Sequence, residues 1–483
     1  MRVLLVKPQA QLGPILGLQR FQLLEPLELG YLASALDGQH TVRVLDLRLA
    51  RRPWRAFAAA LAKFRPEVVG LSGYTHEAST VRELARRTKV ALPGARVVVG
   101  GHHATVAPED VATEHVDAVV RGEGCAPFRA LVDRLSRGEP LSGIANVVIP
   151  GEDNGGAGQW PRFPDPAGLP RPRRDLWDWR AYRSVWLEEA PQPWRSIVPP
   201  VAQVRTSFGC RMKCSFCIVP FLCGGQHLPR PVAAVADEIA SLAARYVYFS
   251  DDENFIDEEF AAALADELER RRVEKRYFAW VRATTVLRSP ELLRRWRQVG
   301  LDAVFVGFEF TTDEELRAVH KGGTVAMNER ALDLLRSLGI AVHAAFMLLP
   351  EYSEDDFARL RRYVHQLPPV QCSFTVCTPS PGTPDWEAMK PRIWVPNPYE
   401  LHDCMHPLTP TRLPLRRFCE LYAELVADGV AKTPLRAARR PIPPWELWRV
   451  TMAARAYARA YRTMYRDYPR ELWDGGHAGA GRP

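Results

Sequence analysis

The sequence predicts an α/β chain built from two strand–helix domains and closed by a helical tail. Strand and helix signals alternate over residues 1–135 and again from 201 to about 385. A stretch rich in proline and tryptophan, without a clean period, separates the two runs. Beyond 386 the sequence is arginine-rich with helical spacing. Strands that alternate with helices imply parallel sheets. The expected organisation is a doubly wound domain over 1–145 and a linker over 146–200. A (β/α)6 partial barrel over 201–385 and a helical region over 386–483 follow. At ~100–200 residues per domain, the 483 residues suit this division.

In the first domain Val3–Val6 reads as a short buried strand and Leu27–Leu36 as a helix. Thr41–Leu47, Val68–Ser72, Arg96–Gly100 and Val116–Val120 are further apolar strands. Doubly wound sheets bind ligands at the carboxyl ends of their strands. The turns expected there are Ser72-Gly-Tyr-Thr-His76, Gly100-Gly-His-His-Ala-Thr105 and Arg121-Gly-Glu-Gly124, where glycine lets backbone approach a large ligand. In the linker, Trp160, Trp177, Trp179 and Trp186 call for burial on the surfaces it joins.

The second run gives six strands: Val201–Thr206, Tyr246–Ser250, Tyr277–Arg282, Ala303–Phe308, Val342–Leu349 and Ser373–Thr378. Helices fit Pro231–Ala244, Glu258–Arg272 and Pro290–Val299. Sites in such barrels lie at the strand carboxyl ends. In the tail, Trp445, Trp448, Met452, Tyr457, Tyr461, Tyr465 and Tyr468 form a stripe expected to pack on the barrel.

Composition excludes several classes. Hydrophobic residues are 47% and charged residues 25%, as in ordinary globular proteins. No apolar run approaches the ~20 residues of a bilayer span. The first residues read as a strand, not a leader. Net charge is +8, and residues 412–483 hold 14 Arg and Lys against 7 Asp and Glu, so +7 sits there. The basic tail suits a solvated helix face or an acidic electron carrier. A nucleic-acid surface is not indicated. Nine cysteines, odd in number and sparse, fit a reducing cytoplasm better than a disulfide framework.

Ser207-Phe-Gly-Cys210-Arg-Met-Lys-Cys214-Ser-Phe-Cys217 is the strongest signal. Three thiols follow a strand at spacings that can converge on one cluster, and iron–sulfur clusters are held by cysteine thiolates. With three local ligands, one iron stays open. The alternatives are a zinc site completed by Cys223 or His227, which would make a zinc-stabilised binding protein, and chance clustering of buried thiols. Cys125, Cys372, Cys377, Cys404 and Cys419 show no such clustering.

This cysteine motif after a first barrel strand resembles the radical SAM superfamily. Tyr248-Phe-Ser-Asp-Asp-Glu-Asn254, Phe278-Ala-Trp-Val-Arg-Ala-Thr-Thr285, Phe305-Val-Gly-Phe-Glu309 and Thr378-Pro-Ser-Pro-Gly-Thr383 resemble its later landmarks in order. The resemblance implies a 4Fe–4S cluster on Cys210, Cys214 and Cys217 and S-adenosyl-L-methionine (SAM) at the open iron. Reductive cleavage of SAM to a 5′-deoxyadenosyl radical follows from it. Phe216, Asp251, Asp252, Arg282 and Glu309 are then SAM contacts, with Glu309 at the ribose.

Glu25-Pro-Leu-Glu-Leu-Gly-Tyr-Leu32, Val99-Gly-Gly-His-His-Ala104 and Arg121-Gly-Glu-Gly124 resemble the Rossmann-like cobalamin-binding domain of the cobalamin-associated branch. His402-Asp-Cys-Met-His-Pro-Leu-Thr-Pro-Thr-Arg-Leu-Pro-Leu-Arg-Arg-Phe418 resembles the class B group that includes hopanoid C-3 methylases. The resemblance implies cobalamin contacts at Thr75, His76, Gly100, Gly101, His103, Gly122, Glu123 and Gly124, with His102 and Thr105 beside them. The Asp-x-His-x-x-Gly motif that supplies a lower-axial histidine elsewhere is absent, and Cys125 stands where relatives often have glutamate.

The implied activity is cobalamin-dependent methylation of an unactivated carbon of a lipid or secondary metabolite. The alternative is a cobalamin-independent dehydration or rearrangement of a polar substrate such as an aminoglycoside. Both take a small molecule and an electron donor such as a flavodoxin or ferredoxin system; a lipid substrate would add peripheral membrane contact. Tyr352 and Cys377, with Tyr248 and His343, are candidate hydrogen or proton donors. Of the adjacent acids Asp251, Asp252 and Glu253, not all can face one ligand on a strand end. Arg282 suits a carboxylate or a structural pair with Glu309.

Overall fold

The computed structural model describes residues 1–36, 38–152, 163–186, 196–432 and 443–474; Trp160 lies outside them. Contacts divide the chain into two compact units. One is Met1–Gln11, Glu25–Ala181 and Phe221–Gly224; the other is Leu12–Leu24, Tyr182–Pro220 and Gly225–Pro483.

The first unit holds a six-stranded sheet of β1 (Arg2–Lys7), β2 (Thr41–Asp46), β3 (Val68–Ser72), β4 (Arg96–Gly100), β5 (Ala118–Val120) and β6 (Val147–Val148). Its order is β2-β1-β3-β4-β5-β6. β1 through β5 are parallel, and only β6 runs antiparallel, at the edge. Alternating side chains sort the strands' valines and leucines onto two faces. Leu4, Val6, Val69, Leu71, Val97, Val99 and Val119 pack with Phe57, Leu61, Val81 and Leu84. Val3, Leu5, Val68, Val98, Ala118 and Val120 pack with Leu29, Phe128 and Leu131. Both faces are therefore apolar, which is why these strands read as continuous hydrophobic runs. The fifth strand begins at Ala118, not Val116, because Val116 is held in a turn by its bond to Thr113.

The linker residues of this unit are clasped by the Glu25-Pro-Leu-Glu-Leu-Gly segment. Glu25 is buried and accepts from Trp177 Nε1 at 2.8 Å and from Arg174. A Cβ on Gly30 would stand 2.7 Å from the Trp177 ring. Trp177 and Trp179 are half-buried rather than buried. Trp186 belongs to the second unit, fully buried, with Nε1 2.8 Å from Asp302.

The second unit contains β7 (Val201–Val204), a small antiparallel hairpin of β8 (Ser207–Phe208) with β9 (Leu228–Pro229), then β10 (Tyr246–Phe249), β11 (Arg276–Val281), β12 (Leu301–Glu309), β13 (Ala341–Leu348) and β14 (Gln371–Val376). The six long strands form one parallel sheet in sequence order, β7-β10-β11-β12-β13-β14. β7 and β14 are its two ends, so the barrel is partial. Helices Val232–Ala240, Glu258–Arg270 and Pro290–Val299 follow the expected positions.

The tail is less helical than its spacing implies. Helices span Leu415–Lys432 and Pro444–Thr463, while 393–414 is irregular. The aromatic stripe splits. Tyr461 and Tyr468 are buried, but Trp445, Trp448 and Met452 are exposed, so the expectation that the whole stripe packs inward fails in its first half. Helical periodicity reports a face, not what covers it. The irregular stretch and the helix after it close the outer edge of β14. Cys404 O accepts from Val376 N at 2.7 Å, and Tyr422 OH donates to Phe374 O at 2.8 Å. Without these bonds the edge would offer unpaired backbone groups.

Candidate active site

The cysteine loop leaves β8 through Gly209, whose φ of 84° favours glycine. The acids after β10 hold that loop. Asp251 is buried and accepts from Thr206 N at 2.7 Å, Ser207 Oγ at 2.6 Å and Thr206 Oγ1. Asp252 accepts from Gly209 N at 2.8 Å and Arg205 at 2.6 Å. Glu253 is buried beside Thr285, 3.3 Å away, and burial pushes its carboxyl up to about 7. The three acids thus split two and one: the adjacent Asp251 and Asp252 both bond the stretch 205–209, and Glu253 stands apart. Asp251 and Asp252 bond the loop's own backbone and hydroxyls, and Glu253 stands among the groups acting on the Cys210 thiol.

Ser215 N donates to Val319 O at 3.2 Å, and Cys217 N to Cys214 O at 3.1 Å. Arg282, buried, lies with Nη1 3.4 Å from Cys214 Sγ and donates Nη2 to Lys321 O. Its Nε has no hydrogen-bond partner among the described residues. Burial raises the Cys210 and Cys217 thiols, the latter to about 12. Thiols so placed ionise when a metal claims them. Three cysteines on one braced loop, with a guanidinium at the sulfur of one, fit a cluster with an open iron. Among the described residues no three His, Cys, Asp or Glu side chains converge tightly enough for a single ion. His227 stands 3.8 Å from Asp257.

The Gly-x-Glu segment is one device. Glu309 has φ 63°, and the β12–β13 register shifts between Gly307 and Glu309. A Cβ on Gly307 would collide with the Glu309 carboxylate and stand 2.8 Å from Lys321 Nζ. Only glycine lets the carboxylate fold back. Its ion-pair partner is Lys321, not Arg282, because the guanidinium is taken by Cys214 and the Lys321 carbonyl. Lys321 was not among the residues expected; its only signal in the sequence is the following Gly322-Gly323. Phe216 and Cys377 pack with Phe310, Leu316, Val319 and Met347. Burial pushes the Cys377 thiol up to about 12, with Glu309 adding to it. Tyr352 lies apart, its hydroxyl donated to Glu315 at 2.9 Å and its pKa raised by burial and that carboxylate.

In the first unit the three predicted turns meet at the carboxyl ends of β3, β4 and β5. Gly101 has φ 94°, and a Cβ there would stand 2.8 Å from Ser72 Oγ and 3.0 Å from Gly73 N. Thr105 Oγ1 donates to Gly101 O at 2.8 Å and accepts from Gly122 N at 2.9 Å. Glu123 accepts from Cys125 N at 2.8 Å, and Cys125 is buried. His103 is buried with Nε2 2.9 Å from Asp110. His76 and His102 flank Tyr74, which is 53% exposed. Lys7 lies 4.6 Å over the same ring. Thr75 Oγ1 is buried without a hydrogen-bond partner among the described residues. An exposed aromatic flanked by imidazoles, over glycine turns too tight for side chains and beside an orphaned hydroxyl, fits a large planar cofactor with amide arms.

Residues 13–132 match the B12 binding domain and residues 204–364 the radical SAM superfamily. Hopanoid C-3 methylase of Methylococcus capsulatus is 30% identical over 433 residues, covering 88% of this chain and 79% of that protein. An uncharacterized methyltransferase of Pyrococcus horikoshii is 27% identical over 375 residues, 75% of this chain and 78% of that one. The bacteriochlorophyllide d C-12(1)-methyltransferase of Chlorobaculum tepidum is 24% identical and covers 81% and 78%. The fold is shared with the radical SAM methyltransferase TsrM of Kitasatospora setae, at TM-score 0.63 and 20% identity, over 96% of this chain and 99% of that one. With both domains matched in order and this identity over nearly the whole length, the chain belongs to the class B radical SAM methyltransferases, the cobalamin-binding branch that includes hopanoid C-3 methylase.

Proposed function

We propose that the protein methylates an unactivated carbon of a lipid or other secondary metabolite. The observation that supports this most directly is the braced three-cysteine loop with Arg282 at Cys214, in one chain with the glycine turns and orphaned Thr75 hydroxyl of a B12 domain. When bound, the cluster supplies the electron that cleaves SAM, and cobalamin carries the methyl group.

The chain's own residues bind and orient. Cys210, Cys214 and Cys217 would hold the cluster, while Asp251 and Asp252 keep the loop in register. The unsatisfied Arg282 Nε is suited to the SAM carboxylate, since guanidinium pairs well with carboxylates. Glu253 faces the same region and can take the ammonium. Glu309, carried back over Gly307 and paired with Lys321, is placed for the ribose hydroxyls. Phe216 and Cys377 form an apolar flank that excludes water. A flavodoxin or ferredoxin system serves as electron donor in the cytoplasm. No helix among the described residues is long and apolar enough to cross a membrane, so a lipid substrate would be met at a membrane surface.

Anaerobic reconstitution tests this reading. About four irons per chain, cleavage of SAM to 5′-deoxyadenosine, a bound corrinoid spectrum and S-adenosylhomocysteine formed with methylated product are expected. Iron and cleavage without corrinoid or S-adenosylhomocysteine would favour dehydration or rearrangement instead. Cys214→Ala is expected to abolish cleavage; full activity in that variant would sink the cluster assignment.

A further inference from the structure

The last helix of the second unit, Pro444–Thr463, has two faces of unlike character. Its inner line holds it to the rest of the unit. Glu446 is buried and accepts from Ile197 N at 2.9 Å. Tyr461 is buried against Tyr422, with ring centres 4.7 Å apart, and Tyr457 meets the Phe21 ring at 6.0 Å. Side chains three, four and seven apart share a helix face. The opposite line therefore runs Trp445, Trp448, Met452, Arg455, Arg459 and Arg462, and each of these is exposed.

The first half of this line is apolar. Among the described residues eight large hydrophobic side chains are exposed, and four of them, Trp445, Leu447, Trp448 and Met452, fall on the first turns of this one helix. Single exposed hydrophobics need no explanation, but a group of them does. Trp445 is 64% and Trp448 68% exposed, so the indoles project outward and line no cleft. The second half of the line is basic. The helix's one acid is Glu446, which is turned inward. Arg449 lies 5.9 Å over the Trp445 ring. Arg455, Arg459 and Arg462 enter no ion pair among the described residues.

We infer that this line is a docking face for an anionic lipid surface, on which the helix lies among the headgroups. The two indoles and Met452 enter the boundary between headgroup and acyl chain, and Arg455, Arg459 and Arg462 meet lipid phosphates. Indoles favour that boundary, because the ring is apolar and its N–H still finds a hydrogen bond there. The guanidinium fork matches a phosphate. Charge complementarity selects this occupant: arginines without counter-charges, one to four turns beyond the indoles, call for a surface that is negative throughout and apolar just beneath. An anionic leaflet presents both. Projecting side chains also sink into a fluid surface without a shaped partner, whereas a protein must offer each of them a pocket. The inference goes beyond the proposed reaction and does not depend on it.

The test is co-sedimentation of the reconstituted holoenzyme with vesicles of phosphatidylcholine alone and of an equal mixture of phosphatidylcholine and phosphatidylglycerol. Binding to the anionic vesicles is expected, weakening as salt rises, with phosphatidylcholine bound far less. Trp445→Ser with Trp448→Ser is expected to weaken binding by about tenfold per indole. Arg455→Gln, Arg459→Gln and Arg462→Gln together are expected to weaken anionic binding by about fivefold per arginine. All five side chains are exposed, so both variants are expected to keep the wild-type melting temperature and SAM cleavage. Equal binding to the two vesicle types, no binding to either, or binding that survives the tryptophan changes would overturn the inference. A chain that ignores vesicles but dimerises, or holds an acidic flavodoxin, through the same tryptophans assigns the face to a protein and overturns it too; sedimentation velocity with and without flavodoxin reads both. SAM cleavage is followed in the same samples. Cleavage without vesicle binding overturns the docking face alone, and vesicle binding without cleavage overturns the radical reading alone.

Discussion

Gly307 and Glu309 work as one unit, because the carboxylate lies where any side chain on Gly307 would be. Gly307→Ala is expected to cost about 1–3 kcal/mol of stability and to raise the KM for SAM in the cleavage assay. Thermal unfolding and steady-state kinetics check the two effects; a wild-type KM would separate Glu309 from SAM binding. At this scale the sequence was legible where chemistry is local. The three thiols and the Gly-x-Glu pair follow from spacing, whereas strand period does not give the meeting of the adjacent Asp251 and Asp252 on one stretch. Lys321 was not legible. It meets Glu309 from 12 residues on, beyond the short helix Asp313–Ala318, and no local pattern encodes that meeting. His103, expected as a cobalamin contact, stands with Nε2 2.9 Å from Asp110, a pairing that no local pattern encodes.

Among elements, the segment between β14 and the last helices is the most instructive. His406 is buried, with Nδ1 2.9 Å from Asp403 and Nε2 3.1 Å from Asp467. Burial opposes its charge, but the two carboxylates outweigh that and raise its pKa to about 9. The ordinary value is about 6.5. A raised histidine stabilises fully below its unfolded pKa and loses that contribution as pH rises through the folded one. Stability of the chain is therefore expected to fall between about pH 6.5 and 9, by about 3 kcal/mol at most. His406→Gln should unfold at lower temperature than wild type at pH 6, with the gap closing near pH 9. A gap independent of pH would assign the histidine a packing role alone. Strands rich in valine were legible almost to the residue, as Val68–Ser72 and Arg96–Gly100 show. β6 was not, because two residues carry no period. The Trp445 side of the last helix was misjudged because an apolar stripe encodes burial only if a neighbour exists.

For the whole molecule, the order of two α/β units with a helical end was legible from alternation alone, since parallel sheets must be fed through crossovers. The two units have separate cores. Calorimetry of the chain without cofactors is expected to show two transitions rather than one. Hydroxocobalamin at a hundred times its Kd should raise one of them by about 2.7 kcal/mol of stabilisation and leave the other in place. A single transition, moved as a whole by the corrinoid, would show that the units unfold together.

The covered edge of β14 bears on how this protein can be cut and inherited. The radical SAM match ends at residue 364, before β14 and before the His402–His406 segment that caps it. A fragment trimmed to that match would expose β13 as a bare edge, open to pairing with its own copies. The unit that can be recombined, fused or evolved as a module is thus longer than the unit that sequence similarity outlines. Its true border runs at least to Tyr468, whose hydroxyl donates to Pro407 O at 3.0 Å.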